Sequence, residues 1–261
     1  ITMLLSTVEL SATTFGQSYF LPRAQNGTAV DVLGWSPEIN KYDADSCYFD
    51  FKAQSEYRQT FRSSKLGEYI FFNGTDTMNF GTAGATTDVN AVNFLLPAGF
   101  VSNVTASPKV QSSITDFSIY VGLDGWVSGL FMSAHLPLVY TRWNTHLSED
   151  SVTPGNTAVA AGIYDVNATT APYTDVISAW KGDKVVGDIT NVWSYGVING
   201  AQHHTKVGDI ALNLGYNFVN RENMYFGIAL RGLIGCGGHS KAKYVFEPVV
   251  GYAGRMGVGG F

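Results

Sequence analysis

From Cys47 to Phe61 the sequence alternates, save at Tyr48 and Gln59, between two kinds of side chain. Cys47, Phe49, Phe51, Ala53, Ser55, Tyr57 and Phe61 fall on one side, and Asp50, Lys52, Gln54, Glu56, Arg58 and Thr60 on the other. A period of two is what an extended strand produces, because successive side chains point to opposite faces. At about 3.3 Å per residue the run would cover about 50 Å. Strands of soluble domains usually stop after roughly 3–10 residues. A strand this long suits a tilted barrel wall, and it sets the expectation for the rest of the chain.

Two further regions repeat the pattern. Around Asp124-Gly125, a strong hairpin signal, a two-residue turn would pair Leu123 with Trp126, Val121 with Ser128, Ile119 with Leu130 and Phe117 with Met132. That register gathers apolar residues on one face and lays Tyr120 over Gly129 on the other. From Lys206 to Ile234, Ile210, Leu212, Leu214, Tyr216 and Phe218 share a face, then Met224, Phe226, Ile228 and Leu230. Keeping these two apolar sets together requires an even residue sum for paired positions, so the loop between them should hold three or five residues, as estimated from the parity of pairing.

Weaker strands are expected at Glu68 to Asn73, Thr77 to Phe80, Leu136 to Trp143, Asp175 to Trp180, Asn191 to Asn199 and Lys243 to Gly251. No segment carries a convincing helical period. The total comes to about ten strands or more. Residues 1–45 read as an N-terminal arm or short inserted segment, and 46–261 as one β domain with long loops near 81–113 and 144–174.

Composition narrows the surroundings of such a domain. Charged residues make up 14% of the chain, against about 25% in ordinary soluble domains. Hydrophobic residues reach 45% and the net charge is −5, which gives no basic stripe for nucleic acid. No run of about 18 apolar residues exists to make a transmembrane helix, whereas each strand of a membrane barrel carries only a short alternating signal. The chain opens on ITMLLSTVELSA with no basic leader, which reads as a processed or truncated start.

The stretch DIALNLGYNFVNRENMYFGIALRG, Asp209 to Gly232, and the run CYFDFKAQSEYRQTF resemble the strand–turn–strand units of bacterial outer-membrane β-barrel, porin-like proteins. The resemblance implies an all-β, antiparallel up-and-down transmembrane barrel, a bacterial outer-membrane location in the cell envelope, lipid as a partner and passive passage of solutes. Many such barrels finish on a terminal Phe preceded by alternating apolar residues. Phe261 is present, but Gly259, Gly257 and Arg255 break the alternation, so the barrel is expected to be incomplete at the C-terminus.

Within a barrel, Asp50, Lys52, Glu56 and Arg58 would line the lumen and pair across strands, together with Asp209, Asn213, Asn217 and Arg231. They would filter by size and charge. Cys47 and Cys236 are either two buried thiols or a disulfide joining an early strand to a late one. There is neither a GxSxG elbow nor an HExxH, and no enzyme activity, metal or cofactor is expected. His203-His204 reads as a solvated loop pair and His135 as a lumen or rim residue. Tyr42 to Ser46, with two carboxylates, reads as a solvated turn more than a calcium site. The N-x-T sequons at Asn26, Asn73, Asn103 and Asn167 read mainly as coincidence in a chain rich in Asn and Thr.

A second function class stays open. A soluble β-sandwich or jelly roll that self-assembles into a shell, sheath or surface lattice would also be poor in charge and rich in aromatics. The face of Phe49, Phe51, Tyr57 and Phe61 separates the two. It looks outward in a barrel and inward at a second sheet in a sandwich. Homo-oligomers are compatible with either.

Overall fold

The computed structural model describes residues 39–42, 44–82, 87–156, 171–186, 189–252 and 254–261. These form two antiparallel-dominated sheets with little helix, an all-β architecture. The larger sheet carries the long strands: β1 (Tyr48–Gln59), β5 (Lys109–Gly122), β6 (Leu130–Asn144), β8 (Ala201–Val207), β9 (Ile210–Arg221), β10 (Met224–Ile234) and β11 (Gly257–Gly260). Its order is β1-β5-β6-β9-β10-β11, with β8 beside the second half of β6. No pairing joins the edge strands β1 and β11 among the described residues.

Pro137 sits in the middle of β6, where a ladder N–H is normally needed. A strand residue turns its N–H and C=O to the same side, and the Pro137 carbonyl accepts from Gly208 N at 2.7 Å. The missing donor therefore falls at the corner where β8 hands over to β9, and the β5–β6 ladder stays whole.

The smaller sheet has the order β3-β2-β4-β7, from β2 (Thr77–Gly81), β3 (Val89–Asn90), β4 (Val101–Ala106) and β7 (Leu147–Thr153). Helices α1 (Ser63–Ile70) and α2 (Val176–Lys181) and a 3-10 turn at Ala91–Phe94 complete this lobe. Its core is conventionally apolar: Phe80, Leu96, Phe100, Val104, Tyr173, Val176 and Trp180 are buried together. Phe80 packs edge-on against both Phe94 and Trp180. All of the lobe departs from one end of the long strands, after β1 and β6 and before β5 and β8. Among the described residues the opposite end holds the short connections β5–β6 and β9–β10 and the segment that leads into β1.

Several expectations need correction. Segment 81–113 is not a loop, because it contains β3, β4 and the start of β5. Ser102, Val104 and Ala106 of β4 are buried, and a buried set of Ser, Val and Ala does not stand out as apolar alternation. Within 144–174, Leu147–Thr153 is a strand, while 157–170 lies outside the described residues, as does the arm through residue 38. Asp175 to Trp180 is helical: Asp175 caps it by accepting from Ser178 N at 2.7 Å, and Gly182 ends it in the left-handed region. Glu68 to Asn73 is largely the end of α1 and the bend after it, and neither Asn191 to Asn199 nor Lys243 to Gly251 is a strand.

Both turns differ in length from expectation, and the parity that the faces demand is kept at one by the turn and at the other by a bulge in the strand. The β5–β6 connection runs from Leu123 to Gly129, with Val121 opposite Met132 and Ile119 opposite Ala134. Tyr120 consequently stacks on Phe131, ring centroids 5.4 Å apart, and not over Gly129. At β9–β10 the turn has two residues, with Met224 opposite Arg221. That register has an odd sum. A β-bulge at Phe226/Gly227 then leaves Phe218 unmatched, and from Gly227 opposite Asn217 onward the sums are even. The extra residue was expected in the loop and lies in the strand.

Candidate functional site

The large sheet is dressed the opposite way from an ordinary domain. Phe51, Ile119, Leu214 and Ile228 are 56%, 47%, 53% and 66% exposed. On the other face Asn213 and Asn217 are 8% exposed and Asp116 5%. Over the turn-side part of β1, β5, β6, β9 and β10 the alternation makes the outer side apolar and the inner side largely polar (β9 runs buried–exposed from Ala211 to Phe218 without exception). Nearer the lobe, Ile114 and Val139 are buried on the inner face with Val250. The outer positions of β1, β5, β6, β9 and β10 from Phe49 to Ser55, Thr115 to Val121, Met132 to Leu138, Leu212 to Phe218 and Phe226 to Leu230 carry no charge.

The sheet bends enough for β1 and β10, four strands apart, to line one cavity of about 480 Å³ on the inner side. Register builds its wall in rows. The polar row crosses five strands: Asp50 is opposite Tyr120, Tyr120 opposite Ser133, Ser133 opposite Asn213, and Asn213 opposite Arg231. One step toward the lobe, Lys52, Ser118 and His135 form a second row. One step the other way lie Tyr48, Gly122, Phe131, Gly215 and Ala229, an alternation of large and small. A β-carbon at Gly122 would collide with the Tyr48 ring, and one at Gly215 with the Phe131 ring. Aromatic cover of glycine, expected for Tyr120 and Gly129, is thus realised at these two places.

Hydrogen bonds hold the polar rows. His135 Nδ1 lies 2.9 Å from Asp116 Oδ2, and Asn213 Nδ2 donates to Ser133 Oγ at 2.8 Å. Asn40, from the segment ahead of β1, reaches into the cavity end. Its Oδ1 accepts from Tyr120 OH at 2.8 Å and from Asn217 Nδ2 at 2.7 Å, tying the segment to β5 and β9.

Of the eight residues expected to line the interior, Asp50, Lys52, Asn213, Asn217 and Arg231 do line this cavity. Glu56 and Arg58 share their face of β1 but sit nearer the lobe and pair with each other. Asp50 and Lys52 likewise pair along the strand, at 3.4 Å. Pairing across strands was expected. The positions opposite them on β5 are Tyr120, Ser118, Ile114 and Ser112, which offer no charge, so each ion pair forms with the same-face neighbour two residues on. Asp209 is not in the wall. Its carboxylate accepts from Gly237 N at 3.1 Å and Tyr252 N at 2.5 Å, pinning the segment after β10.

Asp116, Ser118, Tyr120, Ser133 and His135 were not singled out as a group, although the alternation of β5 and β6 places them on this face.

Cys47 and Cys236 are both exposed and free, which corrects both sequence-level alternatives. Cys47 adjoins Tyr48, whose row contains Ala229. Cys236 lies beyond the far end of β10, about 20 Å along the strand direction, well outside the roughly 7 Å Cα separation that a disulfide tolerates. His203 and His204 lie in β8, not in a loop, and His204 Nδ1 is 3.1 Å from the Pro248 carbonyl. Asn73 spends its amide on Thr77 O and Asp88 Oδ2, and Asn103 lies within β4. Asn26, Asn167 and Asp43 are outside the described residues. Among the described residues no group of three or more His, Cys, Asp or Glu side chains could hold a metal ion. At the terminal segment, where the apolar alternation breaks, Gly257–Gly260 pairs with β10, and Val258 faces outward.

No protein-family model matches the chain, and comparisons with curated proteins and with solved structures return no match.

Proposed function

We propose that the chain is an outer-membrane β-barrel protein of porin-like type, whose long strands face lipid with one side and a solute pathway with the other. The observation that carries this reading is the reversed dressing of the large sheet. In water, exposing Phe49, Phe51, Leu212, Leu214, Phe226, Ile228 and Leu230 together forfeits the main stabilisation of a fold, about 25 cal/mol for each Å² of apolar surface left uncovered. Against acyl chains the same surface costs nothing, and the polar inner face becomes the wet side.

Dimensions agree with a bilayer. From Leu130, opposite Tyr216, to Tyr140 the strand β6 covers about 33 Å, or about 25 Å of height at the tilt usual for such barrels, the thickness of their apolar band. Exposed aromatics lie toward both limits: Tyr57 and Tyr140 on the lobe side, Tyr216, Phe218 and Phe226 on the turn side. Short turns at one rim and an elaborated lobe at the other follow the asymmetry of outer-membrane barrels.

The rival reading is a soluble protein whose copies cover this face for one another in a shell or lattice. Extraction and conductance separate the two. The barrel reading expects the chain to leave cell envelopes only with detergent and to open ion-conducting steps in a planar bilayer. A particle that is water-soluble without detergent and silent in the bilayer would overturn it in favour of assembly.

A further inference from the structure

Among the inner-face atoms buried without a hydrogen-bond partner, Thr141 Oγ1 and Trp143 Nε1 lie nearer the lobe, and three lie together: Asp50 Oδ2, Asn213 Oδ1 and Arg231 Nε. All three belong to the one row that crosses β1, β5, β6, β9 and β10, and all three residues line the cavity. Asn213 has given its amide N–H to Ser133, which leaves its carbonyl oxygen a buried acceptor without a donor in a residue of the cavity wall. Among the described residues no carboxylate lies within ion-pairing distance of Arg231. Buried polar groups are normally satisfied, and a guanidinium without a counter-charge is costly to keep. Here an unanswered donor and an unanswered acceptor stand directly opposite each other on neighbouring strands.

We propose that Arg231 and Asn213 form a subsite for a small organic carboxylate bearing a hydroxyl or ammonium group on the adjacent carbon. The carboxylate takes the planar fork of Arg231, which matches it in shape and charge. The neighbouring O–H or N–H donates to Asn213 Oδ1, which a simple anion such as chloride or acetate leaves empty. A phosphate suits the row less well. It brings more negative charge than one guanidinium answers, into a cavity whose wall also includes the carboxylate of Asp50, with Lys52 already paired to it. The aromatic rings of Tyr120 and Phe131 close the cavity on the turn side and supply the apolar surface against which the carbon skeleton rests.

The subsite rests on the channel reading only in requiring that the inner face be open to solution, so the two are tested in parallel on the full chain. Lactate, acetate and glycerol are titrated calorimetrically into the protein in detergent micelles, and chloride conductance is recorded in planar bilayers. Lactate is expected to bind about fivefold more tightly than acetate, the worth of one added hydrogen bond, and glycerol not at all. Arg231→Gln should weaken lactate about tenfold or more, the loss of a charge-assisted pair. Asn213→Leu should bring lactate down to the acetate level. Equal affinity for lactate and acetate in the unaltered chain overturns the subsite, a comparison that needs no variant to fold. Conductance without lactate binding overturns the subsite and leaves the channel standing. Binding without conductance does the reverse.

Discussion

The ring of Phe131 lies across Gly215 on the neighbouring strand, in the space a β-carbon at that position would need. Gly215→Ala should therefore force the ring aside and destabilise the protein by about 1–3 kcal/mol, the usual cost of overpacking. In a Phe131→Ala background the same substitution should be nearly neutral, because the two residues act as one unit. Urea unfolding of all four proteins in lipid vesicles measures the coupling. Equal costs in both backgrounds would show that the ring does not set the requirement for glycine.

Leu214 and Asn213 are neighbours in sequence and face opposite media. Leu214→Arg should cost about 1–3 kcal/mol in lipid vesicles, between the costs of an arginine at the mid-bilayer and at the interface, because Leu214 lies opposite Met132 inside the turn-side limit. Tyr57→Arg, at the rim, should cost less, about 0–1 kcal/mol. The same urea titrations report both. A Leu214→Arg protein as stable as its parent would mean that this face never meets lipid.

The bulge at Phe218 makes a sharper test of register. Deleting Phe218 removes the unmatched residue and leaves every other pair as it stands, Phe226 opposite Val219 and Gly227 opposite Asn217, so the wet and oily sides are kept. Folding into vesicles, followed by the mobility of unheated samples on gels, should therefore survive this deletion. Failure to fold would show that the bulge itself, beyond the pairing around it, is required.

In the lobe, Glu149 of β7 accepts from Val176 N at 3.0 Å and Ile177 N at 3.3 Å, at the start of α2. Glu149→Ala leaves these N–H groups without their acceptor, and the lobe should lose about 1–3 kcal/mol. Trp180, buried in the lobe core, reports this as a separate earlier fluorescence transition, with the unfolding of the large sheet unmoved.

Alkali should also loosen the lobe. Burial pushes the Tyr173 hydroxyl above its ordinary value of 10.0, because the neutral form is favoured inside. The stabilisation is complete below that ordinary value and is lost as pH rises through the raised one, where the buried phenol must ionise. Tyr173→Phe should flatten the alkaline fall in lobe stability, at the expense of the hydrogen bond to the Lys184 carbonyl at 2.9 Å. An unchanged alkaline profile in that variant would assign the effect elsewhere.

What the sequence revealed, and what it hid, divides between the two sheets. Period-two alternation is a strong signal when both faces are chemically uniform, and Phe49 to Tyr57 or Ala211 to Phe218 are of that kind. Five of the cavity residues followed directly from it. The lobe has no such contrast. Its strands are short, β4 buries Ser102 as well as Val104, and α2 reads VISAWK, a β-branched start that mimics a strand. Asp175 before it and Gly182 after it were the legible stop and start marks. Turn length stayed hidden for another reason. Parity fixes only whether a count is odd or even, so a longer β5–β6 connection and a bulge in β9 satisfied the same rule as the simpler turns.

The bulge has a consequence for how such a strand pair can change over time. Because one unmatched residue can sit in the turn or in the strand, the tip between β9 and β10 behaves like a sliding joint. A single-residue gain or loss there need not reassign the wet and oily sides of everything beyond it. Hairpins without a spare residue lack this tolerance, and in them the same accident turns the wall inside out.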